Sequence, residues 1–277
     1  MHQRFTKAIA ILLLISVGLA CSLLRGKQPL TWHLMLEIDA AVADRESLVK
    51  QTVTVIERRL DAAGVYNSEV LVQGTPPNGR ILVNLPVVSD RERLKKLITA
   101  GGRLELVAVI SPPNPAPFQV YSSKEDAEAS LGRTVPANRR VLPYVERSQL
   151  TEPNSENSPQ PTRWVVVEAP TIVDGNQIRN AAATQTRSGS EDYQIAFALR
   201  AEGADKFGTW TGAHINDYIG VVLNGEVRSI AFIKSQISDS GEISGRFTKQ
   251  SAEDLALVLR SGALPAPIRI IEEGNNK

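Results

Sequence analysis

The sequence predicts an α+β protein in which an inserted α+β head lobe interrupts a ferredoxin-like split βαβ base lobe. The first third alternates between period-two apolar stretches, which indicate strands, and stretches with apolar residues three and four apart, which indicate helices. Their order is strand, helix, strand, strand, helix, strand, which is the order of the split βαβ motif. Two proline-rich stretches then break the pattern, and a well-capped helix resumes it near the C-terminus.

The N-terminus, residues 1–27, predicts a signal or membrane anchor. A charge-free apolar run at residues 8–24 lies between basic residues. This run is at the short limit of a membrane-spanning helix and within the range of a signal peptide. Cys21, preceded by Gly-Leu-Ala, is also placed as in a bacterial lipoprotein, where it would be acylated. A retained anchor, a lipoprotein and a cleaved signal are all left open, and each of them exports the rest of the chain.

The base lobe is predicted at residues 28–113 and 248–277. Its first strand, residues 31–39, alternates, and the helix after it begins at Asp44 and is ended by Gly64. The charged face Glu57, Arg58 and Arg59 of this helix is assigned to solvent. The remaining elements predicted before the insertion are strands at residues 69–73 and 80–85, a helix capped by Ser89, and a strand at residues 104–110.

The inserted head lobe is predicted at residues 114–247. Its clearest element is a hairpin of residues 219–223 and 226–232, because Asn224-Gly225 suits both positive-φ positions of a type I′ turn. The stretches at residues 111–117 and 151–162 predict irregular connections. Other predicted elements are helices at residues 125–129, 176–183 and 204–211 and strands at residues 164–167 and 193–199.

The closing helix carries the strongest local signals. Ser251 is predicted as its N-cap, with Asp254 completing a capping box. Gly262 and Pro265 are placed to end it. The helix and a short strand at residues 267–271 are predicted to return to the base lobe, since so short a strand is not stable alone. The apolar stripe that must be buried consists of Ala252, Leu255, Ala256 and Leu259.

Composition argues against several classes of function. A formal net charge of +1, from 31 basic and 30 acidic residues, gives no electrostatic footprint for nucleic acid. The three histidines and one cysteine have no metal-ligand spacing. No stretch fits a nucleophile elbow, a phosphate-binding loop or a dinucleotide fingerprint. The sequence therefore predicts no enzyme, no metal, no cofactor and no nucleic-acid partner.

Five parts of the sequence, in the same order, carry a family resemblance. They are VIERRLDAAGV (55–65), RILVNLPVVSDRERLKKLI (80–98), EDAEASLGRTVPANRRVLPY (125–144), IGVVLNGEVRSIAFI (219–233), and ISGRF (243–247) followed by LALVLRSGALPAP (255–267). Together they resemble the large periplasmic domain of SecD, a subunit of the bacterial protein-export machinery. The structural motif of the last part consists of Arg260, Gly262, Leu264, Pro265 and Pro267.

The resemblance implies a periplasmic domain that binds emerging or unfolded preprotein segments beside SecF and the SecYEG channel. The N-terminus would attach it to the inner membrane. In the family, the inserted lobe and the groove between the lobes are the implicated contact surface. The alternative is an envelope lipoprotein, structural or adaptor-like, that has kept the fold.

The sequence departs from the family pattern in two places. The Gly-Leu-Asp-Leu motif usual after the first membrane helix is replaced by residues 31–39, TWHLMLEID. The sequence also stops at Lys277, before the family's membrane bundle would begin. A proton-conducting bundle is therefore expected to be missing from this chain.

Overall fold

The computed structural model describes residues 29–39, 44–74, 79–110, 118–132, 134–144, 162–186 and 192–276. The predicted anchor with Cys21 and nearly all of both proline-rich stretches lie outside these ranges. The strands are β1 (Trp32–Ile38), β2 (Glu69–Gln73), β3 (Arg80–Leu85), β4 (Leu104–Val109), β5 (Arg139–Tyr144), β6 (Arg163–Glu168), β7 (Val173–Asp174), β8 (Ile178–Gln185), β9 (Tyr193–Leu199), β10 (Tyr218–Leu223), β11 (Glu226–Phe232), β12 (Ser240–Phe247) and β13 (Ile268–Asn275). The helices are α1 (Arg45–Ala62), α2 (Arg91–Thr99), α3 (Lys124–Ala129), α4 (Ala201–Ala213) and α5 (Lys249–Ser261).

The base lobe consists of a four-stranded antiparallel sheet, in the order β13-β1-β3-β2, with α1 and α2 on one face. Alternate residues of β1, beginning with Trp32, are buried beneath these helices, and the residues between them face the other side. Asp44 caps α1 as predicted, because its carboxylate accepts a hydrogen bond from the Ser47 amide. The cap of α2 is Asp90 and not the predicted Ser89.

The strand predicted at residues 104–110 does not complete this sheet. It is β4, which pairs with β10, β6 and β7 in the head lobe, and β13 takes the place beside β1. Every residue of β4 is buried, so the strand requires a layer covered on both faces. Among the described residues the base sheet has helices on one face only, so it does not provide such a position.

In the head lobe, strands β10, β11, β5, β6 and β4 pair in that order, and β4 pairs again with β10. The five strands therefore close on themselves. Residues on one face of β4 and β10 pack with a second sheet, β12-β9-β8, and with α4 and α5. Residues on the other face form a separate core of Val107, Val109, Val165, Val167, Val222 and Val227.

The helix predicted at residues 176–183 is wrong. Gly175–Gln177 form a single 3-10 turn, and the following residues form β8, paired along its length with β9. Ala181, Ala182 and Ala183 favour a helix in isolation, but sheet pairing and burial against α5 outweigh that local preference.

Helix α5 lies between the two lobes. Its N-cap is Thr248, one turn before the predicted Ser251, because Thr248 has the extended backbone of a cap and accepts from the Ser251 amide. Three residues of the predicted stripe are buried and Leu255 is partly buried, but the stripe packs in the core of the head lobe and not on the base lobe. The neighbouring face, Leu257 and Val258, contacts Leu97 of α2. One helix thus contributes to both lobes.

Candidate functional site

The chain crosses between the lobes twice, and the two crossings run side by side. The outgoing crossing joins α2 to β4, and the returning one joins α5 to β13. The Leu264 amide of the returning crossing donates to the Gly101 carbonyl of the outgoing one at 2.8 Å. We call this region, residues 97–102 and 258–264 together with Arg59, the lobe junction.

Arg59 of α1 is the centre of the lobe junction. It is 0% exposed, and its guanidinium donates to the carbonyl oxygens of Leu97 and Ile98 at 2.9 Å, of Ala100 at 2.5 Å and of Gly262 at 3.1 Å. These carbonyls lie at the C-terminal ends of α2 and α5, where peptide oxygens lack partners within the helix and the helix dipole is negative. A single side chain therefore satisfies the ends of two helices.

Burial lowers the pKa of Arg59 from its usual value to about 10, so the side chain stays charged at neutral pH. Within the described residues Arg59 has no carboxylate partner, and peptide dipoles compensate its charge. The prediction that placed Arg59 in solvent is wrong. The missed signal was helical spacing, since Arg59 is three residues after Ile56 and four before Ala63, on the same stripe.

The predicted motif residues span the returning crossing. Arg260 donates to the Ala181 carbonyl of the head lobe at 2.7 Å, whereas Leu264 is buried in the core of the base lobe. Gly262, between them, has φ +93° and accepts from Arg59. Pro265 is exposed. Pro267, also exposed, accepts at its carbonyl from the Asp39 amide at 2.9 Å.

A small pocket opens between the lobes beside this junction. Its volume is about 190 Å³, below the roughly 300–1,000 Å³ usual for ligand sites. The Arg93 guanidinium binds the Asp254 carboxylate at one side of it, with N–O distances of 2.7 and 2.9 Å. The lining residues are Lys96, Leu97, Ala100, Gly102, Asn224, Asp254, Leu255 and Val258. This pocket by itself is too small to hold an extended chain segment.

A cluster of aromatic rings packs against the valine core of the head lobe. We call it the aromatic end and define it by Phe118, Tyr144, Tyr218 and Phe232. The ring of Phe118 makes edge contacts with Tyr144 and Tyr218, with centroids 5.9 and 5.4 Å apart. The centroids of the Tyr218 and Phe232 rings are 5.2 Å apart, and Phe232 is 38% exposed. The aromatic end continues the valine core outward to the surface.

Groups that could support catalysis do not converge within the described residues. The His214 ring stacks on Trp210 with a centroid distance of 4.1 Å, and its Nδ1 lies 2.8 Å from the Trp210 carbonyl oxygen. In the described ranges no cluster of three His, Cys, Asp or Glu residues is arranged to hold a metal ion. None of the helices described has the length and apolar character needed to cross a membrane.

Two family models match this chain. Residues 49–111 match the family described as the N-terminal part of the P1 domain of protein translocase subunit SecDF. Residues 148–266 match the SecDF P1 head subdomain. This chain belongs to the SecD P1 family. The first P1 match contains Arg59 and the second contains Gly262, so the lobe junction joins the two matched parts.

Individual SecD proteins are similar over most of the chain. It is 36% identical over 229 residues to the protein translocase subunit SecD of Koribacter versatilis, covering 83% of this chain and 39% of that protein. It is 33% identical over 229 residues to SecD of Aquifex aeolicus, covering 83% and 40%. The chain thus spans about 40% of the length of these SecD relatives.

Solved SecDF structures share the P1 fold. One, of a SecDF described as a membrane component that enhances protein export, matches with a TM-score of 0.61 and 25% identity, over 87% of this chain and 98% of that one. A crystal structure of SecDF in a super-membrane-facing form matches with a TM-score of 0.62 and 25% identity, over 97% of this chain and 35% of that one.

Proposed function

We propose that this P1 domain binds unfolded segments of exported proteins as they emerge from the Sec channel, with the aromatic end as the contact surface. The observation that carries the proposal is the run of edge-packed rings that ends at the half-exposed Phe232. Aromatic side chains bury a large apolar area and lose little conformational entropy when they bind. Such contacts suit partners of varied sequence, because they require no particular pattern of hydrogen bonds.

Family membership supports a proposal for the partners and the location of the domain. We propose that the domain works in the periplasm beside SecF and SecYEG, attached to the inner membrane through the N-terminus. Binding at the aromatic end requires no titrating group, so capture itself is expected to be independent of a proton gradient. Affinity is expected to be weak, because the captured segment loses conformational entropy.

The direct test measures binding of a permanently unfolded probe, fluorescein-labelled α-lactalbumin that has been reduced and carboxymethylated. Fluorescence anisotropy gives the dissociation constant for the parent and for Phe232→Ser. The substitution should weaken binding roughly five- to tenfold, since an aromatic anchor contributes more than about 1 kcal/mol. The matched control is Val87→Ser, which removes an apolar side chain that is 69% exposed in the base lobe. Equal affinity for the parent and Phe232→Ser would contradict the proposed surface.

A second experiment tests partners in the cell. A photoreactive phenylalanine analogue at position 232 should crosslink to a preprotein arrested in the channel, whereas the same analogue at position 87 should not. Membrane attachment is tested separately with Cys21→Ser. If the chain is a lipoprotein acylated at Cys21, this change abolishes lipid labelling and N-terminal processing. Unchanged mass and membrane retention support an uncleaved anchor.

A further inference from the structure

The two edge strands of the base sheet differ in how they are protected from pairing with another strand. The edge strand β13 carries Arg269, Glu272 and Glu273, and its pairing with β1 is interrupted by an irregularity opposite Met35 and Leu36. Charges and irregular pairing are devices that keep an edge from adding a further strand. The opposite edge strand, β2, has no charged residue at its three central positions, residues 70–72, and its pairing with β3 has no irregularity.

Strand β2 has the sequence Glu-Val-Leu-Val-Gln and, in the described structure, pairs regularly with β3 alone. Leu71 and Val72 are 42% and 47% exposed. These two side chains point to opposite faces of the sheet, so an added strand would cover apolar surface on both. Within the described residues, the outer edge of β2 is therefore an apolar, regular strand whose outward peptide groups have no strand partner.

The sequence of β2 is nearly symmetric about Leu71. If a second β2 lies antiparallel beside it with Leu71 on a two-fold axis, Leu71 meets its own copy and Val70 meets Val72. At the ends, Glu69 meets the uncharged Gln73, so no like charges face each other. A two-fold interface requires this kind of self-complementary surface.

The neighbouring strand supplies complementary charge for the same register. Gln73 pairs with Arg80 of β3, and Glu69 pairs with Asn84. In the proposed register, Glu69 of one copy lies opposite Gln73 of the second copy. Arg80 of the second copy is the next residue in the same row, one strand further away. Arg80 is 4.0 Å from Glu37 and its side chain is 55% exposed, so it can extend toward the added strand.

We infer that β2 pairs with β2 of a second copy of this chain, centred on Leu71, to join two base sheets into one eight-stranded sheet. Five residues from each copy are far fewer than the roughly 20–30 per partner of a standard interface. The association is consequently weak and depends on a high local concentration, such as attachment to the same membrane.

The test uses the full chain reconstituted at high density in lipid vesicles, with Cys21→Ser as background to remove the native thiol, and a short bis-maleimide crosslinker. Leu71→Cys should form at least tenfold more covalent dimer than Val87→Cys, an exposed control position away from this strand. Glu69→Cys and Gln73→Cys should each crosslink poorly alone, because four residues of extended strand separate the two copies of either position by about 13 Å. An equal mixture of these two variants should crosslink efficiently.

Three outcomes would overturn the inference. Leu71→Cys could crosslink no better than Val87→Cys. The mixture could crosslink no better than its separate components, which would exclude the antiparallel register. Carboxymethylated α-lactalbumin could protect Leu71→Cys from alkylation while no dimer forms, which would assign the edge to unfolded chains. Phe232→Ser should leave the dimer yield unchanged, so this test and the test of preprotein capture fail independently.

Discussion

The guanidinium of Arg59 donates to the carbonyl oxygen of Gly262 at 3.1 Å, across 203 residues of sequence. This hydrogen bond joins the first helix of the base lobe to the residue that ends α5. Since the same guanidinium also holds the end of α2, the positions of three helices depend on one side chain.

Arg59→Met should destabilise the protein by about 2–4 kcal/mol, because several carbonyls that lie in a buried region lose their donor. Urea unfolding measures the change. Arg58→Met, at the exposed neighbouring position, should stay within about 0.5 kcal/mol of the parent. Arg59→Lys should recover only part of the loss, since an ammonium group cannot span both helix ends as the planar guanidinium does. Equal stability of Arg59→Met and Arg58→Met would contradict this role of the lobe junction.

Gly102→Ala should cost about 1–3 kcal/mol more than Gly64→Ala. The two glycines have similar left-handed backbones, with φ +72° and +75°, so the conformational penalty is similar. They differ in surroundings: a Cβ on Gly102 would lie 2.7 Å from Val258 Cγ1 and 3.1 Å from Arg59 Nη2, whereas one on Gly64 would meet nothing within 4 Å. Thermal or urea unfolding of both variants gives the difference, and a difference near zero would show that the junction adjusts freely.

Leu259→Ala should cost about 2–5 kcal/mol, and its effect should be strongest in the head lobe. Leu259 packs in the core that contains β8 and β9, whereas the adjacent Val258 contacts α2. Hydrogen exchange should therefore accelerate first in β8 and β9 for Leu259→Ala, and first in α2 for Val258→Ala. The same pattern for both variants would contradict the placement of α5 between the lobes.

Glu37 should make stability depend on pH below about 6. The hydrogen bond from Arg269 lowers the pKa of Glu37 below its usual 4.5. The unfolded chain therefore binds a proton at a higher pH than the folded chain, and this contribution to stability is lost as the pH falls through the lowered pKa. Urea unfolding midpoints for the parent and Glu37→Gln should converge between pH 6 and pH 3. A constant difference between the two midpoints over this range would contradict the stabilising role of this ion pair.

Local signals in the sequence predicted several elements correctly. The turn at Asn224 and Gly225 was predictable because few residue pairs adopt two successive positive φ angles, and here they are +52° and +83°. The cap at Asp44 was predictable from its position before an apolar stripe. The hairpin of β2 and β3 followed from alternation on both sides of a turn-forming stretch.

Features that depend on distant partners were not predictable from local patterns. The alternation in β4 identified a strand but not its sheet, because period-two alternation did not show that both faces of the strand are buried. The alanines of β8 carry a helical preference that only pairing with β9 overrides. For Arg59, charge suggested solvent, and only the helix ends contributed by α2 and α5 explain its burial. The aromatic end brings together residues from positions 118 to 232, which no short motif connects.

The pairing of β1 with β13 has a consequence for the order in which the chain can fold. Trp32 of β1 lies opposite Asn275 of β13. Strand β1 therefore gains β13 as a neighbour only when the last described residues have been synthesised. Contacts between such distant positions form slowly, since a long loop must close before they stabilise the structure. As the chain itself emerges from N- to C-terminus, the head lobe can pair β4 with β10 while the base sheet still lacks an edge. Completion of the base sheet is then the last step of folding, because it requires β13, which is the last strand of the domain to emerge.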